Sequence, residues 1–380
     1  MKNAFKILLV TQLLGCGDKT GVALRVERVN AIPAAPHMNY QLNEGEGSRD
    51  RLPKSIIFII ADGAGIGHYS LSYYANGAFA PARFEHVGLV ATHPDGRGCG
   101  STCKRVSDSA SSGTALSAGR KTYNGAIGVD QDTVAVKTML EMAEEYGMAT
   151  GLVATSSITH ATPASFAAHV YSRQEQEEIA RQYAKQEIDV LLGGGRRFWS
   201  DALISEYERG GAQYIDAMNV SLDASRRLLG LFAEDGLPEA SEGRTPTTTD
   251  MARLAISRLE ADPEGYFVMI EESQVDWGGH SNDAEYIKAE MASLNELVDF
   301  TLDYQAEHPD VLVILTADHE CGGVAVHDGN AGELDIRFNS FGHSANFVPV
   351  WASGPGAEAF DAFMDNTEIG KRLMHYVENR

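Results

Sequence analysis

Several continuous apolar runs in this sequence end on an acidic residue or a histidine. The first run, Ser55-Ile-Ile-Phe-Ile-Ile-Ala, is followed by Asp62 and then by a glycine-rich turn. Such runs are typical of parallel strands that are buried on both faces of a sheet. A helical pattern between Thr133 and Met148 leads directly into another apolar run at 150–154, which gives a β-α-β rhythm. The sequence therefore predicts an α/β fold with a parallel sheet.

The ends of these predicted strands carry side chains that bind metal ions. Because the carboxyl ends of parallel strands share one edge of a sheet, we expect these side chains to converge there. Each of them alone would more often be structural or solvated, and only their shared placement favours a site. Mixed sets of Asp, Glu and His are ligands for zinc and magnesium. The residues concerned are Asp62, Glu271, Asp276, His280, Asp318, His319 and His343.

A run of small residues from Val106 to Gly119 is the candidate for the reactive segment. We expect a helix to begin near Ser109, with its unpaired N–H groups and positive dipole end directed at a bound anion. A serine at a helix start is often only an N-cap. Beside a metal site, however, Ser109 is the candidate nucleophile for attack on a phosphate.

Three local predictions concern neighbouring residues. Two glycines separate Asp276 from His280, so we expect this pair to converge across a turn and not along a helix. Thr162 is a natural N-cap and Pro163 a natural first helical residue. Arg173, at the start of a charged helical stretch, is placed to fold back toward the same sheet edge.

The remaining segments carry no recognisable chemistry. Residues 196–245 are polar and predicted to be irregular, and a helix is predicted from about Asp250 to Leu259. A longer helix follows, with Ile287, Met291 and Leu302 among the residues of an apolar stripe. This stripe is predicted to pack into the core.

The N-terminus has the pattern of an export signal, with charged, apolar and small-residue parts in residues 1–15. Leu13-Leu-Gly-Cys16 is similar to a bacterial lipoprotein cleavage box, which favours a lipid on Cys16 that tethers the protein to a membrane, with plain export and an uncleaved cytoplasmic start as the alternatives. Residues 16–52 are predicted to form a tether before a single catalytic domain at 53–380. The expected location is the periplasm or the cell envelope. Whether Cys99 pairs with Cys103 stays open.

The charge balance excludes some partners. The 380 residues include 31 Lys and Arg against 53 Asp and Glu, giving a net charge of -22. Such acidity argues against a nucleic-acid partner and against attraction to anionic membrane surfaces. An acidic protein that handles anionic substrates needs local positive charge, and metal ions supply it most strongly.

From Pro53 to the C-terminus, the sequence resembles the alkaline phosphatase family, and specifically its compact bacterial members with His160 and Trp277 at these positions. The resemblance implies a three-layer α/β/α sandwich with a central, mostly parallel sheet. It also implies hydrolysis of phosphate monoesters through a phosphoserine, and a homodimer. The matching motifs, in family order, are Asp62-Gly-Ala-Gly, Asp108-Ser-Ala, His160-Ala-Thr-Pro, Glu271 through Asp276 to His280, Asp318-His-Glu and Gly342-His-Ser.

The resemblance further implies two Zn²⁺ and one Mg²⁺ per chain. Glu271 is preferred over Glu272 as a ligand, because it keeps the family's five-residue step to Asp276. Arg173 would clamp the phosphate, with Asp108 orienting it and Trp277 contributing to substrate binding. The first zinc would be held by Asp276, His280 and His343, the second by Asp62, Asp318 and His319, and the magnesium by Asp62, Thr162 and Glu271 with His160 beside it.

Two alternative functions are a phosphodiesterase or other hydrolase on the same fold, and an exported metal-binding protein without activity. A sulfatase would carry a Pro/Arg signature after its nucleophile, and Ser109-Ala-Ser-Ser-Gly lacks it. A diesterase more often uses Thr as the nucleophile and lacks a clamping Arg. A protein that had lost catalysis would be expected to lack the serine or a ligand, and none of these residues is missing.

Overall fold

The structure is a computed structural model that describes residues 52–95, 104–330 and 332–380. These residues belong to one compact unit, residues 39–380. The expected export signal, Cys16, the tether up to residue 51, and Cys99 and Cys103 lie outside the described residues. None of the helices described is long and apolar enough to cross a membrane.

A ten-stranded sheet forms the centre of the fold. Nine of its strands run in the same direction, whereas β13 runs antiparallel to its two neighbours, β2 and β8. In spatial order the strands are β14 (Phe363–Asp365), β2 (His86–Ala91), β13 (Val348–Ser353), β8 (Val311–Thr316), β1 (Ser55–Ala61), β7 (Tyr266–Glu272), β3 (Ala149–Ser157), β4 (Val190–Gly194), β6 (Arg227–Leu231) and β5 (Ala212–Ile215). The prediction of a mostly parallel sheet is confirmed.

Two short antiparallel pairs lie outside this sheet. Strand β9 (Glu320–Cys321) pairs with β12 (His343–Ser344), and β10 (Ala325–Asp328) pairs with β11 (Leu334–Arg337). The first of these pairs brings a candidate metal ligand, His343, beside the chain that follows Asp318.

Helices cover both faces of the sheet and complete the three layers. The helices α1, α7 and α9 pack together on one side, and α2, α3 and α10 pack together on the other. The helices are α1 (Ile66–Asn76), α2 (Ser109–Ala118), α3 (Met139–Glu145), α4 (Ala161–Ala164), α5 (Gln176–Tyr183), α6 (Asp201–Arg209), α7 (Thr248–Leu259), α8 (Gln274–Ser281), α9 (Ala284–Glu307) and α10 (Asn366–Glu378).

The local sequence explains the central elements. All seven residues of β1 are buried, as expected for a strand with neighbours on both edges and helices on both faces. In α9 the predicted stripe of Ile287, Met291 and Leu302 is buried in the core. The long helix thereby covers the strands that end at the site.

Several predicted boundaries were wrong. The stretch 196–245 is not irregular, because it contains α6, β5 and β6, whose short strands lack a long apolar run. Helix α7 begins at Thr248 because Thr247 caps it and forms a capping box with Asp250. Helix α3 is shorter than its apolar pattern, since Thr138 caps it directly before Met139.

Candidate active site

The sheet brings the predicted ligands to one edge. Asp62 follows β1, Glu271 lies near the end of β7, and Asp318 follows β8, and these three strands are neighbours in the sheet. His343 precedes β13, which is antiparallel to the others, so its amino end lies at the edge where the parallel strands have their carboxyl ends. At this edge, β13 therefore contributes a residue that precedes it, His343, whereas β1 and β8 contribute the residues that follow them.

The first group of candidate ligands consists of Asp276, His280 and His343. The Nε2 atoms of the two histidines are 3.1 Å apart. Each also lies close to the Asp276 carboxylate, at 3.5 Å for His280 and 3.3 Å for His343. Three donor atoms from two distant parts of the chain therefore face a common point.

The outer nitrogens of both histidines contact backbone carbonyls. The Nδ1 of His280 lies 2.7 Å from the carbonyl oxygen of Phe341, and that of His343 lies 2.9 Å from the carbonyl oxygen of Ser107. Because a carbonyl oxygen only accepts, each Nδ1 carries the hydrogen, and in the neutral imidazole the Nε2 lone pair points inward. Two lone pairs and a carboxylate facing one another repel, and a divalent cation between them removes this repulsion. The donor set fits zinc.

Asp276 and His280 lie on helix α8, so the predicted turn between them is wrong. A helix places residues four apart on the same face, which directs both side chains to one point. The two glycines are tolerated because tertiary packing outweighs their low helix propensity. A Cβ on Gly278 would lie 2.8 Å from Ile287, and a Cβ on Gly279 would lie 2.9 Å from Cys321.

The second group, Asp62, Asp318 and His319, lies beside the candidate nucleophile. The Nε2 of His319 is 3.2 Å from Asp318 and 3.6 Å from Asp62. It is also 3.3 Å from the Oγ of Ser109. All three ligands are fully buried, and both carboxylate oxygens of Asp62 lack a hydrogen-bond partner among the described residues. Buried carboxylate oxygens without donors fit a bound cation.

The third group shares Asp62 and adds Glu271 and His160. Glu271 accepts hydrogen bonds at one carboxylate oxygen from Ser156 and Ser273, and its other oxygen is buried and unpaired within the described part of the chain. Glu272 has the opposite orientation and forms a buried ion pair with Arg244 at 2.9 Å. Of the two adjacent acids, only Glu271 joins a candidate metal group.

Thr162 lies inside α4 and not at its cap, because the helix begins at Ala161 and His160 occupies the N-cap position. The predicted start of the helix, with Thr162 as the N-cap and Pro163 as the first residue, was therefore two residues late. As a result, the Thr162 hydroxyl is not used to cap the helix, and its Oγ1 is buried without a partner among the residues described. An oxygen of this kind suits the hard ligand set of magnesium.

Burial makes the charges at this edge unfavourable in the absence of cations. Burial, and then the neighbouring Asp318, raises the pKa of Asp62 well above its ordinary value. Burial and Asp276 raise the pKa of Asp318 to about 6, and burial raises that of Glu271 to about 7. Divalent cations bound here would stabilise all three ionised carboxylates. The electrostatics of the edge are therefore those of a cation site.

Ser109 is the first residue of helix α2, as predicted. Asp108 caps the helix by accepting a hydrogen bond from the backbone N–H of Ser111 at 3.0 Å. Ser109 is 2% exposed, and its hydroxyl faces the second group of ligands. The positive end of the helix dipole thus lies at the candidate nucleophile.

Arg173 lies in the loop before α5, three residues ahead of the helix that was predicted to start with it, and it folds back to the site by two contacts. Its Nη1 is 3.2 Å from the Asp108 carboxylate, and its Nη2 is 3.1 Å from the Nε2 of His160. Burial alone would raise the pKa of Asp108, but the Arg173 charge helps to hold it below its ordinary value. Asp108 is therefore placed to orient Arg173, as the resemblance implied.

Trp277 lies next to the third group. Its ring meets that of His160 edge to face, with 6.5 Å between centroids. The far side of the indole covers Gly236, where any Cβ would overlap the ring. The side chain thus packs on a neighbouring segment and also borders the site.

Two residues near the site were missed by the sequence analysis. Cys321 is buried, and its sulfur falls within the same cluster of donor atoms as Asp276, His280 and His343. Glu320 is buried between the loops that carry the ligands. Both are placed by the pairing of β9 with β12, which no local pattern in the sequence signals.

The comparisons with known proteins agree with this geometry. The alkaline phosphatase family profile matches residues 53–333. The chain belongs to the alkaline phosphatase family. It is 40% identical to alkaline phosphatase 3 of Bacillus subtilis (strain 168), over 88% of this chain and 90% of the relative.

Solved alkaline phosphatases have the same fold. The alkaline phosphatase of the Antarctic bacterium TAB5 superimposes with a TM-score of 0.80 and 35% identity, over 86% of this chain and 98% of the other. A variant of that enzyme was solved with magnesium bound in its M3 site. Family and fold support hydrolysis of phosphate monoesters, and this alkaline phosphatase family member is a metal-binding hydrolase.

Proposed function

We propose that this chain hydrolyses phosphate monoesters through a phosphoserine on Ser109, at a centre of two Zn²⁺ and one Mg²⁺. The observation that carries the proposal is the position of Ser109. Its Oγ lies at the positive end of α2 and 3.3 Å from His319, in a group where both carboxylate oxygens of Asp62 and one of Asp318 are buried without a hydrogen-bond partner among the described residues. A serine hydroxyl in this position is suited to nucleophilic attack.

The proposed ligands follow the three groups of donor atoms. Asp62 belongs to both the second and the third group, and Thr162 lies beside the third. When bound, the ions supply Lewis acidity, which lowers the pKa of the Ser109 hydroxyl and offsets negative charge on the phosphate. The zinc ligands are Asp276, His280 and His343 for one ion and Asp62, Asp318 and His319 for the other, and the magnesium ligands are Asp62, Thr162 and Glu271, with His160 adjacent.

Ser109 carries the covalent chemistry. Its Oγ attacks phosphorus in line, the bond from phosphorus to the alcohol oxygen breaks, and the alcohol leaves with that electron pair and takes up a proton. Water then attacks the phosphoserine from the vacated side, and the Oγ–P bond breaks to regenerate Ser109 and release phosphate.

Arg173 and the start of α2 hold the phosphoryl group. The guanidinium fork of Arg173 can donate to two phosphate oxygens at once. Asp108 restrains that fork from one side and His160 from the other. Charge that develops on the equatorial oxygens is thus met by donors already in place.

The natural substrate class proposed here is small phosphomonoesters. The exported location, the lipid on Cys16 and the homodimer stay predictions from the sequence and the family resemblance.

Ser109→Ala tests the proposal because it removes only the nucleophilic oxygen. Turnover of an aryl phosphate monoester should fall by more than about 10³-fold, while metal content measured by mass spectrometry stays at the wild-type level. Ser117→Ala, at the far end of the same helix, is the matched control and should keep its activity. An aryl phosphodiester assayed in parallel separates the alternatives, since preferential diester cleavage would contradict the proposal.

A further inference from the structure

Glu320 is a buried acid that follows the candidate ligands Asp318 and His319. It is 3% exposed, and both of its carboxylate oxygens accept hydrogen bonds. One oxygen accepts the backbone N–H groups of Gly323 at 2.8 Å and Val324 at 3.3 Å. This oxygen fixes the turn that leaves the sheet edge.

The other oxygen of Glu320 holds a different part of the chain. It accepts hydrogen bonds from the hydroxyl of Ser344 and from the side-chain amide of Asn346, the latter at 3.4 Å. Ser344 directly follows His343, and both residues form strand β12, which pairs with β9. One carboxylate therefore ties the loop that carries His343 to the turn that follows Asp318 and His319.

A third segment closes around the same side chain. Gly65 lies in the turn after Asp62, and a Cβ added there would overlap the Cγ of Glu320. The backbone of Gly65 is extended, with φ -87° and ψ 177°, so an alanine would meet no backbone strain. Glycine is needed at position 65 because any larger side chain would overlap the side chain of Glu320.

We propose that Glu320 is a positioning residue for the first metal group, acting through the loop that carries His343. The inference rests on the proposed zinc centre and names no new ligand. The reason is geometric: His343 comes from a loop that is distant in sequence, whereas Asp276 and His280 share a helix. A ligand on a loop is the least restrained of the three by its own secondary structure, and Glu320 is the buried side chain that ties this loop to the turn after Asp318 and His319.

Loss of this restraint should weaken one metal site selectively. Groups that orient metal ligands typically change metal affinity by about 10–100-fold when they are removed. Asp62, Asp318 and His319 stand at the ends of rigid strands, so the second zinc should keep its affinity. A purely structural role would instead lower stability without separating the two sites.

Glu320→Ala and Glu320→Gln in the full-length metal-loaded protein test the proposal. Glutamine keeps an oxygen that accepts the N–H of Gly323, but it places an NH₂ group where Asn346 needs an acceptor. It should therefore loosen the loop while preserving the turn. Both variants should lose one zinc to a competing chelator at a concentration about tenfold lower or more. Bound zinc is counted by mass spectrometry, and His343→Ala provides the reference for loss of the first ion.

Two further variants separate positioning from general stability. Gly65→Ala leaves the metal ligands and Glu320 itself chemically unchanged, but its Cβ displaces the Glu320 side chain, so this variant should show the same selective zinc loss. Glu141→Gln, on α3 outside the site, is the control for loss of a partly buried, hydrogen-bonded carboxylate and should lower stability without changing zinc retention.

The outcomes distinguish this inference from the proposed function. A wild-type protein without bound zinc would overturn both. If the wild type holds two zinc ions and the Glu320 variants retain both as tightly, with only a lower melting temperature, Glu320 is merely structural and the inference fails. Equal weakening of both zinc ions would also overturn it.

Discussion

Asp108 both caps helix α2 and contacts Arg173, and replacing it should separate its effect on stability from its effect on phosphate binding. One of its carboxylate oxygens caps α2 through the N–H of Ser111 at 3.0 Å, and the other lies 3.2 Å from the guanidinium of Arg173. Asp108→Asn keeps an acceptor for the cap and removes the charge. Asp108→Ala removes both contacts.

The structure sets the size of each effect. Loss of an N-cap costs about 1 kcal/mol of stability, which should appear only in the alanine variant. The ion pair has side chains 21% and 19% exposed, between a surface pair and a buried one. We therefore expect about 1 kcal/mol of positioning energy for Arg173, equivalent to about fivefold weaker binding of phosphate in both variants.

Two assays measure these quantities independently. Chemical unfolding gives the stability of each variant, and inhibition by inorganic phosphate at one pH and matched zinc gives its affinity. Two outcomes would contradict separate roles for the two oxygens: Asp108→Asn losing as much stability as Asp108→Ala, or phosphate inhibiting the asparagine variant as strongly as the wild type. Either result would mean that the two oxygens do not act separately.

Two further predictions concern residues around the site and outside it. Trp277→Lys should tighten inhibition by phosphate, because it adds a positive charge beside His160, and it should lower the melting temperature because the indole covers Gly236. Equal or weaker inhibition would contradict the electrostatic part. Burial alone would lower the pKa of His169, but its contact with Glu141 at 2.8 Å helps to raise it above the ordinary 6.5. This pair should therefore stabilise the fold fully below pH 6.5 and lose its contribution as the pH rises through the folded-state pKa. His169→Gln should flatten the dependence of unfolding free energy on pH over that range.

The sequence predicts the part of the site that depends on parallel strands. Asp62, Glu271 and Asp318 come directly from the ends of apolar runs, and the sharing of one edge by such ends follows from the fold class. The start of α2 at Ser109 was also predictable, because a cap and a run of small residues are local signals.

The rest of the site depends on contacts between distant parts of the chain. Helix α8 was missed because Gly278 and Gly279 have low helix propensity. Glycine occupies these two positions because a Cβ there would overlap Ile287 or Cys321, which are contacts that the local sequence does not indicate. Glu320 was missed because two of its partners, Ser344 and Asn346, lie on a loop that is distant in sequence. No periodicity in the sequence indicates that β9 pairs with β12.

The position of β13 also has a consequence for how the protein is made. Strand β2, at residues 86–91, has β13 and β14 as its two neighbours in the sheet, and both come from the last part of the chain. A ribosome must therefore release nearly the whole chain before β2 can pair. Until then, β2 presents unpaired edges to other nascent chains, which favours aggregation.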